Sequence, residues 1–299
     1  MTASRIRVGT SSWTDKTLLA SGWYPKEATT PEERLRYYAS EFDVVEVDST
    51  YYGLPSERNA GLWVERTPAD FTFHIKAFSA MTGHPIQTRS LPKAIRESLP
   101  EDAGTRLYPK DLSPDALGEI WEMFRRALMP LHSAGKLGVV MFQYPEWFVP
   151  SKRSREEIMA ARGRLPDYDI AVELRQAKWF ESERDAKRTL EFLRGEGIPF
   201  VCVDMPQGFS SSVPPIAETT SQKYALVRFH GRRSETWGKK GVPVLERFKY
   251  DYPDAELGEW APRVRSLAEQ AREAHALFNN CYRDNATRNA KTFGQMVLE

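Results

Sequence analysis

The chain has 299 residues, and its 42 Lys and Arg nearly balance 41 Asp and Glu, leaving a formal net charge of +1. A charge this close to zero gives no overall attraction to nucleic acid or to an anionic membrane, so any preference for anions must be local. No run approaches the roughly 20 apolar residues that a membrane span needs. The two cysteines lie in apolar runs and residues 1–5 lack a signal peptide's apolar segment, so we expect a cytoplasmic protein with reduced thiols.

Eight apolar runs with strand character alternate with helical segments along the chain. The predicted strands are 6–11, 44–50, 71–77, 137–144, 170–175, 200–204, 224–230 and 274–282. Helices are predicted to start after the capping residues Thr30, Ser56 and Ser113, the last stopping near Gly135. Four more helices are predicted over 153–162, 182–194, 257–272 and 286–298.

This alternation predicts an α/β fold, a (β/α)8 barrel of the TIM type, because parallel strands need crossover helices on their outer side. An open doubly wound sheet is the alternative. Its central strands would be apolar on both faces, whereas the strands predicted here have one polar face. Residues 81–112 form a long insertion after strand 3, predicted to be a lid or a partner-binding excursion, and residues 206–222 lack a convincing sixth helix. No repeat or linker divides the chain, so residues 1–299 are predicted to form a single domain.

In five of the predicted strands every second residue is polar or a thiol, and these residues lie toward the C-terminal end of the strand. Glu173 and Arg175, for example, share one face, opposite Val172 and Leu174. The other four pairs are Glu46 with Asp48, His74 with Lys76, Cys202 with Asp204, and Arg228 with His230. Because a buried charge without a partner costs several kcal/mol, these groups must meet one another, water or a ligand. We therefore predict a pocket at the C-terminal mouth of the barrel.

Within this pocket we predict Glu46, Glu173 and His230 as catalytic residues. The predicted substrate-binding residues are the polar side chains at or just beyond the strand ends: Ser11, Asp48, His74, Lys76, Gln143, Arg175, Asp204, Arg228, Arg232, Asn279 and Asn280. A carboxylate such as Glu46 or Glu173 would act as general base, while the cations stabilise an anion. A self-neutralising ion-pair network that only closes the barrel interior is the alternative.

The loop after the seventh strand combines glycine with positive charge in Gly231-Arg232-Arg233 and Gly238-Lys239-Lys240, where barrels often hold phosphate. A solvated basic loop is the alternative. The predicted partner is therefore a small anionic or phosphate-bearing ligand, with nucleic acid as a second candidate. Aromatic residues in the loops could stack on ligand rings or pack the loop bases: Trp13, Tyr51, Tyr52, Tyr144, Trp147, Phe148, Trp179, Phe180, Trp237 and Tyr282.

A metal site is a weaker prediction. The carboxylates and imidazoles that suit zinc or manganese are Glu46, His74, Glu173, Asp204 and His230. Lys76, Arg175 and Arg228 would repel a cation, so a divalent metal is disfavoured and no other cofactor is predicted. The patterns GxGxxG, GxxxxGK[ST], HExxH and CxxC are absent, which argues against a nucleotide loop, a zincin and thiol redox chemistry.

Short motifs stretch from the first strand to the last helix. They are Gly9-Thr10-Ser11-Ser12-Trp13, Val45-Glu46-Val47-Asp48-Ser49-Thr50-Tyr51-Tyr52, Phe73-His74-Ile75-Lys76, Thr82-Gly83-His84-Pro85, Phe142-Gln143-Tyr144-Pro145, Ala171-Val172-Glu173-Leu174-Arg175, Arg228-Phe229-His230-Gly231-Arg232 and Phe278-Asn279-Asn280. In combination they resemble the family of unknown function DUF72, also called YecE-like. The resemblance implies a TIM-type barrel whose activity is not established. Asp48 stands where this family usually has Asn, and Gln176 where His is common.

The family is broadly similar to xylose-isomerase-like barrels, which include metal-dependent apurinic endonucleases, so the resemblance implies a nucleic-acid role only through fold. Our leading hypothesis is a hydrolase-like enzyme that acts on a phosphate-containing or polyol-like substrate, a nucleic-acid phosphodiester included. A non-catalytic anion- or nucleic-acid-binding module and a sugar isomerase or lyase are the alternatives.

Overall fold

A parallel sheet of eight strands forms the centre of the molecule. The computed structural model describes residues 5–239 and 241–298, so residues 1–4 and Lys240, which enter the sequence predictions, lie outside the described residues. The strands are β1 (Arg5–Thr10), β2 (Val44–Val47), β3 (Thr72–Lys76), β4 (Ile86–Gln87), β5 (Arg106–Leu107), β6 (Leu137–Gln143), β7 (Ile170–Glu173), β8 (Val201–Asp204), β9 (Tyr224–Phe229) and β10 (Glu273–Phe278). All except β4 and β5 belong to the central sheet.

The sheet curves into an almost closed barrel. Its strand order is β7-β6-β3-β2-β1-β10-β9-β8, and every neighbouring pair is parallel. Within this sheet, consecutive strands along the chain therefore lie side by side. The two end strands meet through one parallel bridge between Val172 and Phe200, where the Val172 amide donates to the Pro199 carbonyl at 2.9 Å. The predicted TIM-type barrel is confirmed, and the open doubly wound sheet is excluded.

Helices connect most of the strands, as the sequence predicts. They are α1 (Lys16–Leu19), α2 (Pro31–Glu41), α3 (Glu57–Glu65), α4 (Lys93–Glu97), α5 (Pro114–Ser133), α6 (Lys152–Arg164), α7 (Glu183–Gly195), α8 (Val244–Arg247), α9 (Asp254–Gln270) and α10 (Asn285–Leu298). Thr30 accepts from the Glu33 amide and Glu33 reaches back to the cap, which forms the predicted capping box. Ser56 and Ser113 cap α3 and α5, and Gly135 follows α5 with a φ of 68°.

The predicted strands 44–50 and 274–282 extend furthest beyond the observed C-terminal strand ends. After Val47 the chain turns into a 3-10 helix over Asp48–Tyr51, where the Thr50 hydroxyl lies 2.8 Å from the Val47 carbonyl oxygen and 2.6 Å from that of Lys76. This local side-chain bonding competes with the strand ladder and ends it early. After Phe278 the chain leaves the sheet, so the alternation of faces stops before Asn279.

The insertion after β3 packs on the barrel. Its strands β4 and β5 pair antiparallel, with Ile86 opposite Leu107, and both of these side chains are buried in the main core together with Leu91 and Ile95. The predicted excursion is therefore present, while its use as a lid stays a prediction. Residues 205–223, all of them described, contain no helix, so the irregular sixth crossover is confirmed.

Both cysteines, Cys202 and Cys281, are free, as predicted. Among the described residues, no helix combines the length and the apolarity needed to cross a bilayer.

Candidate active site

A cavity of about 930 Å³ opens at the C-terminal ends of the barrel strands. The predicted substrate-binding residues that line it each sit at the end of a strand or within two residues beyond it. They are Ser11, Asp48, Lys76, Gln143, Arg175 and Asn279. These six side chains come from the β1, β2, β3, β6, β7 and β10 ends, so the predicted convergence at the mouth is found for them.

A fully buried charge network lies beneath this floor. Arg228, on β9, extends across the barrel and donates two hydrogen bonds to Glu46. Its Nε donates to Glu46 Oε2 at 2.8 Å and its Nη2 donates to Glu46 Oε1 at 2.6 Å. Its Nη1 donates to Glu173 Oε2 at 2.5 Å and to Gln143 Oε1 at 3.2 Å. Arg228, Glu46 and Glu173 have no exposed surface, so a ligand in the cavity would meet them only through the side chains above.

The cations on the floor are already paired. Arg175 forms an ion pair with Glu173, and its guanidinium lies 5.4 Å from the centre of the Trp237 ring. Lys76 Nζ lies 2.7 Å from Asp48 Oδ1 and 4.8 Å from the centre of the Tyr51 ring. The floor therefore offers oriented donors and acceptors with little uncompensated positive charge.

The two buried carboxyl groups differ in acidity. Burial raises the pKa of Glu173, but Arg175 and Arg228 more than offset this, so its pKa lies well below the ordinary value. Burial also raises the pKa of Glu46, and there the charges of Arg228 and Lys76 do not offset it, because the negative charges of Asp48 and Glu173 also raise this pKa. Glu173 is thus held as a carboxylate, whereas Glu46 is the carboxyl group that more readily takes a proton.

Ser11 connects Glu46 to the cavity. Its hydroxyl donates to Glu46 Oε2 at 3.2 Å, and Ser11 lines the cavity floor. From the sequence Ser11 is a weak nucleophile candidate, because no spacing ties it to an acid or a histidine. The acid comes from the neighbouring strand β2, and such a pairing leaves no local signal in the sequence.

His230 lies under the floor as a neutral imidazole. Burial and the charge of Arg175 lower its pKa to about 3. Its Nε2 lies 3.3 Å from Glu173 Oε1 and 3.2 Å from Arg175 Nη2, and its Nδ1 lies 2.9 Å from Asn279 Nδ2. With Glu46 and Glu173, His230 therefore belongs to the network beneath the cavity, and a catalytic role for these three residues stays a prediction.

His74 faces the interior but lies deeper than predicted. Its Nε2 lies 2.6 Å from Nδ1 of His275, the third residue of β10. It stands two residues before Lys76, which places it roughly 7 Å further from the mouth. The predicted position of His74 in the mouth is wrong, because the two-residue period fixes the face of a side chain and not its height.

Asp204 points out of the barrel. It accepts from Trp260 Nε1 on α9 at 2.6 Å, from the Tyr252 hydroxyl at 2.7 Å and from Arg232 Nη2 at 2.8 Å. Arg232 also donates to Glu259 at 2.8 Å. The predicted placement of Asp204 and Arg232 in the pocket is wrong. Both faces of β8 are buried, so the alternation in Val201-Cys202-Val203-Asp204 could not tell inside from outside.

Asn280 also lies outside the cavity. Its Nδ2 donates to Asn289 Oδ1 on α10 at 2.8 Å and to the Tyr250 carbonyl at 2.9 Å. The strand has already ended at Phe278, so Asn279 turns toward the cavity while Asn280 ties the final helix to the loop before α9. The predicted placement of Asn280 in the pocket is therefore wrong.

The five candidate metal ligands are not brought together. His74 lies in the deeper layer and Asp204 on the outer face, while Glu46 and Glu173 are bound by Arg228. In the part of the chain that the structure describes, no three His, Cys, Asp or Glu side chains are grouped in a way that could hold an ion.

The cavity is also lined by residues outside the predicted substrate-binding set and the loop aromatics. They are Ser12, Thr14, Asp15, Lys16, Ser49, His84, Pro145, Glu146, Ser211, Gly238, Arg247, Phe248 and Cys281. Burial and the charges of Lys76 and Arg175 lower the pKa of His84 to about 3, so it too is a neutral imidazole. Its place in the motif Thr82-Gly83-His84-Pro85 is the signal that could have identified it.

The structure also divides the loop aromatics. Tyr51, Tyr52, Trp147 and Trp237 line the cavity. Trp237 is also buried in the core, and the side chains that pack into the core without lining the cavity are Trp13, Tyr144, Phe148, Trp179 and Phe180.

A parallel eight-stranded barrel with a cavity at the C-terminal strand ends belongs to the TIM-barrel class. Residues 7–299 match the family described as "Protein of unknown function DUF72", and the chain belongs to this family. The resemblance drawn from the motifs is confirmed.

Relatives of this family cover almost the whole chain. The UPF0759 protein YunF of Bacillus subtilis (strain 168) is 32% identical over 300 residues, which is 98% of this chain and 94% of that protein. A DUF72 family protein of Enterococcus faecalis V583 superimposes with a TM-score of 0.79 at 25% identity, covering 99% of this chain and 96% of the other. A DUF72 family protein of Thermotoga maritima MSB8 superimposes with a TM-score of 0.77 at 30% identity, covering 99% of this chain and 100% of the other.

Proposed function

We propose that the protein is an enzyme that acts on a hydroxyl-rich small molecule, polyol- or sugar-like, through acid–base chemistry in the mouth cavity. The observation that carries the proposal is the cavity floor, where hydrogen-bonding side chains from six strand ends stand over a fully buried charge network. Purely structural barrel layers can be filled by Val, Ile and Leu, so this concentration of polar groups next to an open cavity favours a ligand site.

Ser11 and Glu46 are the proposed proton-transfer pair. Because the pKa of Glu46 is raised, its carboxylate is a stronger base than an ordinary glutamate. In the proposed step the Ser11 hydroxyl passes its proton to Glu46 Oε2 while it accepts a proton from a substrate hydroxyl. Lys76 and Arg175 keep their carboxylate partners and use their remaining N–H donors to stabilise the substrate oxygen that becomes negative. Ser11 would touch the substrate, and Glu46 would act through it.

The charge pairing favours a hydroxyl-rich ligand over a simple anion. Lys76 and Arg175 have carboxylate partners on the floor, and Arg233 of the predicted phosphate loop lies 3.1 Å from Glu246. Phosphate binding usually needs guanidinium or ammonium groups that are free to pair with it. These arginine and lysine side chains would have to exchange partners first.

A phosphate-bearing form of the substrate would bind near Arg247. This residue lines the cavity, and among the described residues its Nε is buried without a hydrogen-bond partner. Its Nη2 donates to the Lys239 carbonyl at 2.9 Å, which fixes the guanidinium beside the loop where the sequence predicts phosphate. A sugar phosphate would therefore place its ring hydroxyls on the floor and its phosphate at this side of the mouth.

The test is a ligand screen followed by product analysis. Thermal stabilisation of the purified protein is measured with sugars, polyols, their phosphates and short oligonucleotides, and each stabilising compound is then followed by NMR for chemical change. We expect Ser11→Ala to abolish turnover while it retains binding. Ser12→Ala is the matched control, because Ser12 lines the same cavity and its hydroxyl accepts from the Thr14 amide.

Each result assigns the protein to one class. Turnover by the wild type that Ser11→Ala removes supports the proposal, and the products distinguish hydrolysis from isomerisation. Stabilisation without any chemical change would instead make the protein a binding module. Stabilisation by oligonucleotides alone would indicate that the cavity binds nucleic acid, and it would overturn the proposed substrate class.

A further inference from the structure

Two large aromatic side chains at the edge of the mouth cavity remain exposed. Trp147 has 53% and Tyr52 has 57% of its surface open to solvent, and both line the cavity. Fully burying a large apolar side chain stabilises a protein by roughly 1.5–3 kcal/mol, a gain that both residues largely forgo. Exposed aromatic surface of this kind marks a place where a ligand can cover it.

These two residues are the ends of a continuous line of rings. Tyr52 contacts Tyr51 with ring centres 5.0 Å apart, Tyr51 contacts His84 at 5.2 Å, and His84 contacts Trp147 at 5.7 Å. Each contact is edge-to-face, with interplanar angles of 85°, 82° and 65°. The line follows one wall of the cavity, since all four residues line it.

The middle of the line is held in place from below. Lys76 Nζ lies over the Tyr51 ring, and the Thr82 hydroxyl lies 2.8 Å from His84 Nδ1. Because the pKa of His84 is lowered to about 3, its ring stays neutral and brings no charge to the wall. The two exposed rings thus rest against the less exposed side chains of Tyr51 and His84, which reduces the conformational entropy lost when a ligand stacks on them.

We propose that Trp147 and Tyr52 are stacking platforms for the rings of a cyclic sugar, and that Trp147 determines the preference for a ring over an open chain. This inference rests on the proposed function of the same cavity. A pyranose ring has an apolar C–H face that fits a flat aromatic surface and hydroxyl groups at its edge that fit a polar floor. An open-chain polyol presents no such face, and a nucleotide would bring a phosphate to cations that are already paired.

The distinguishing experiment compares cyclic and open-chain ligands on matched variants. Affinities of methyl pyranosides and short oligosaccharides, of sorbitol and of adenosine are measured by saturation-transfer NMR for the wild type, Trp147→Ala, Trp147→Phe and Tyr108→Ala. Tyr108 is the control because it is 41% exposed and is not among the cavity residues. We expect Trp147→Ala to weaken pyranoside binding roughly tenfold and Trp147→Phe to restore most of it. Sorbitol binding and the Tyr108→Ala variant should change little.

The outcomes separate this inference from the proposed function. If pyranosides bind and Ser11→Ala stops turnover but Trp147→Ala binds as well as the wild type, the stacking proposal alone is wrong. Loss of adenosine binding in Trp147→Ala without any pyranoside binding would overturn the sugar assignment. If none of the hydroxyl-rich probes binds the wild type, both proposals are wrong.

Discussion

Two polar layers inside the barrel are built from similar residues but have different surroundings. The upper layer lies directly beneath side chains that line the mouth cavity, and it consists of Glu46, Arg228, Glu173 and His230. The lower layer, His74, His275, Glu273 and Arg7, lies toward the N-terminal strand ends, and none of its four described side chains lines that cavity. The comparison shows that polar residues in a barrel interior do not by themselves identify a site. Access to a cavity through residues such as Ser11 does.

In the lower layer a chain of hydrogen bonds links two neutral imidazoles to a carboxylate. The Val139 amide donates to His74 Nδ1 at 3.0 Å, so His74 carries its proton on Nε2 and donates to His275 Nδ1. His275 Nε2 then donates to Glu273 Oε2 at 3.2 Å, and Arg7 Nε lies 3.1 Å from the same oxygen. The upper layer instead centres on one guanidinium shared by two carboxylates.

This difference predicts that the upper layer contains the residue whose loss costs most. Replacing Arg228 by Met would leave Glu46 and Glu173 buried without their shared partner, and we expect a loss of about 3–5 kcal/mol in the free energy of unfolding. Urea denaturation measures it. Combining Arg228→Met with Glu46→Gln and Glu173→Gln should recover part of the loss, because no unpaired charge remains. A loss below about 1 kcal/mol for Arg228→Met would contradict the buried network.

The outward-facing Asp204 should come next. Asp204→Asn weakens a carboxylate that accepts from Arg232, Tyr252 and Trp260, and we expect a cost of about 1–3 kcal/mol in unfolding free energy. The matched control is Glu259→Gln, because the exposed Glu259 pairs with the same Arg232. We expect this substitution to lower the unfolding free energy by less than about 1 kcal/mol. Equal effects in the two variants would show that burial of Asp204 has no special role.

Acid should destabilise the protein through its buried imidazoles. Burial, followed by the neighbouring His275, holds the pKa of His74 well below the ordinary value, so the unfolded chain binds a proton that the folded chain does not. Stability from this group is complete above about pH 6.5 and declines below it, by about 1.2 kcal/mol between pH 7 and pH 5.5. His230, with its pKa of about 3, adds a similar amount.

The pH dependence is measured as the slope of unfolding free energy against pH. His74→Gln should lower that slope by about one proton, whatever its effect on stability at pH 7. The wild type measured in the same buffers is the reference for the slope. An unchanged slope in His74→Gln would mean that His74 does not titrate abnormally.

Local signals in the sequence were enough for the elements but not for the site. Thr30, Ser56 and Ser113 cap helices through neighbouring residues, and the strand period places Glu46 and Glu173 on the inner face, so both kinds of feature could be predicted. The depth of His74 and the outward turn of Asp204 depend on which residues lie across the barrel or under a helix, and no spacing along the chain encodes that.

The smallest expected effect concerns Asp48, one of the two positions where this chain differs from the pattern expected of its family. Asp48 pairs with Lys76 on the cavity floor, and the two side chains are 25% and 10% exposed. Asp48→Asn would leave Lys76 without its carboxylate partner. Because the pair is partly exposed, we expect unfolding free energy to change by less than about 1 kcal/mol.

Ligand preference, by contrast, should shift toward anions in Asp48→Asn. A free Lys76 ammonium raises the positive potential of the floor, so inorganic phosphate and sugar phosphates should bind several-fold more tightly than to the wild type, while neutral sugars change little. Titration calorimetry at constant ionic strength measures this, with Asp15→Asn as control on the same cavity. If Asp48→Asn leaves phosphate affinity unchanged, the Lys76–Asp48 pair does not set the charge preference of the mouth. The reason for favouring hydroxyl-rich over anionic substrates would then have to come from Arg175 and Glu173 alone.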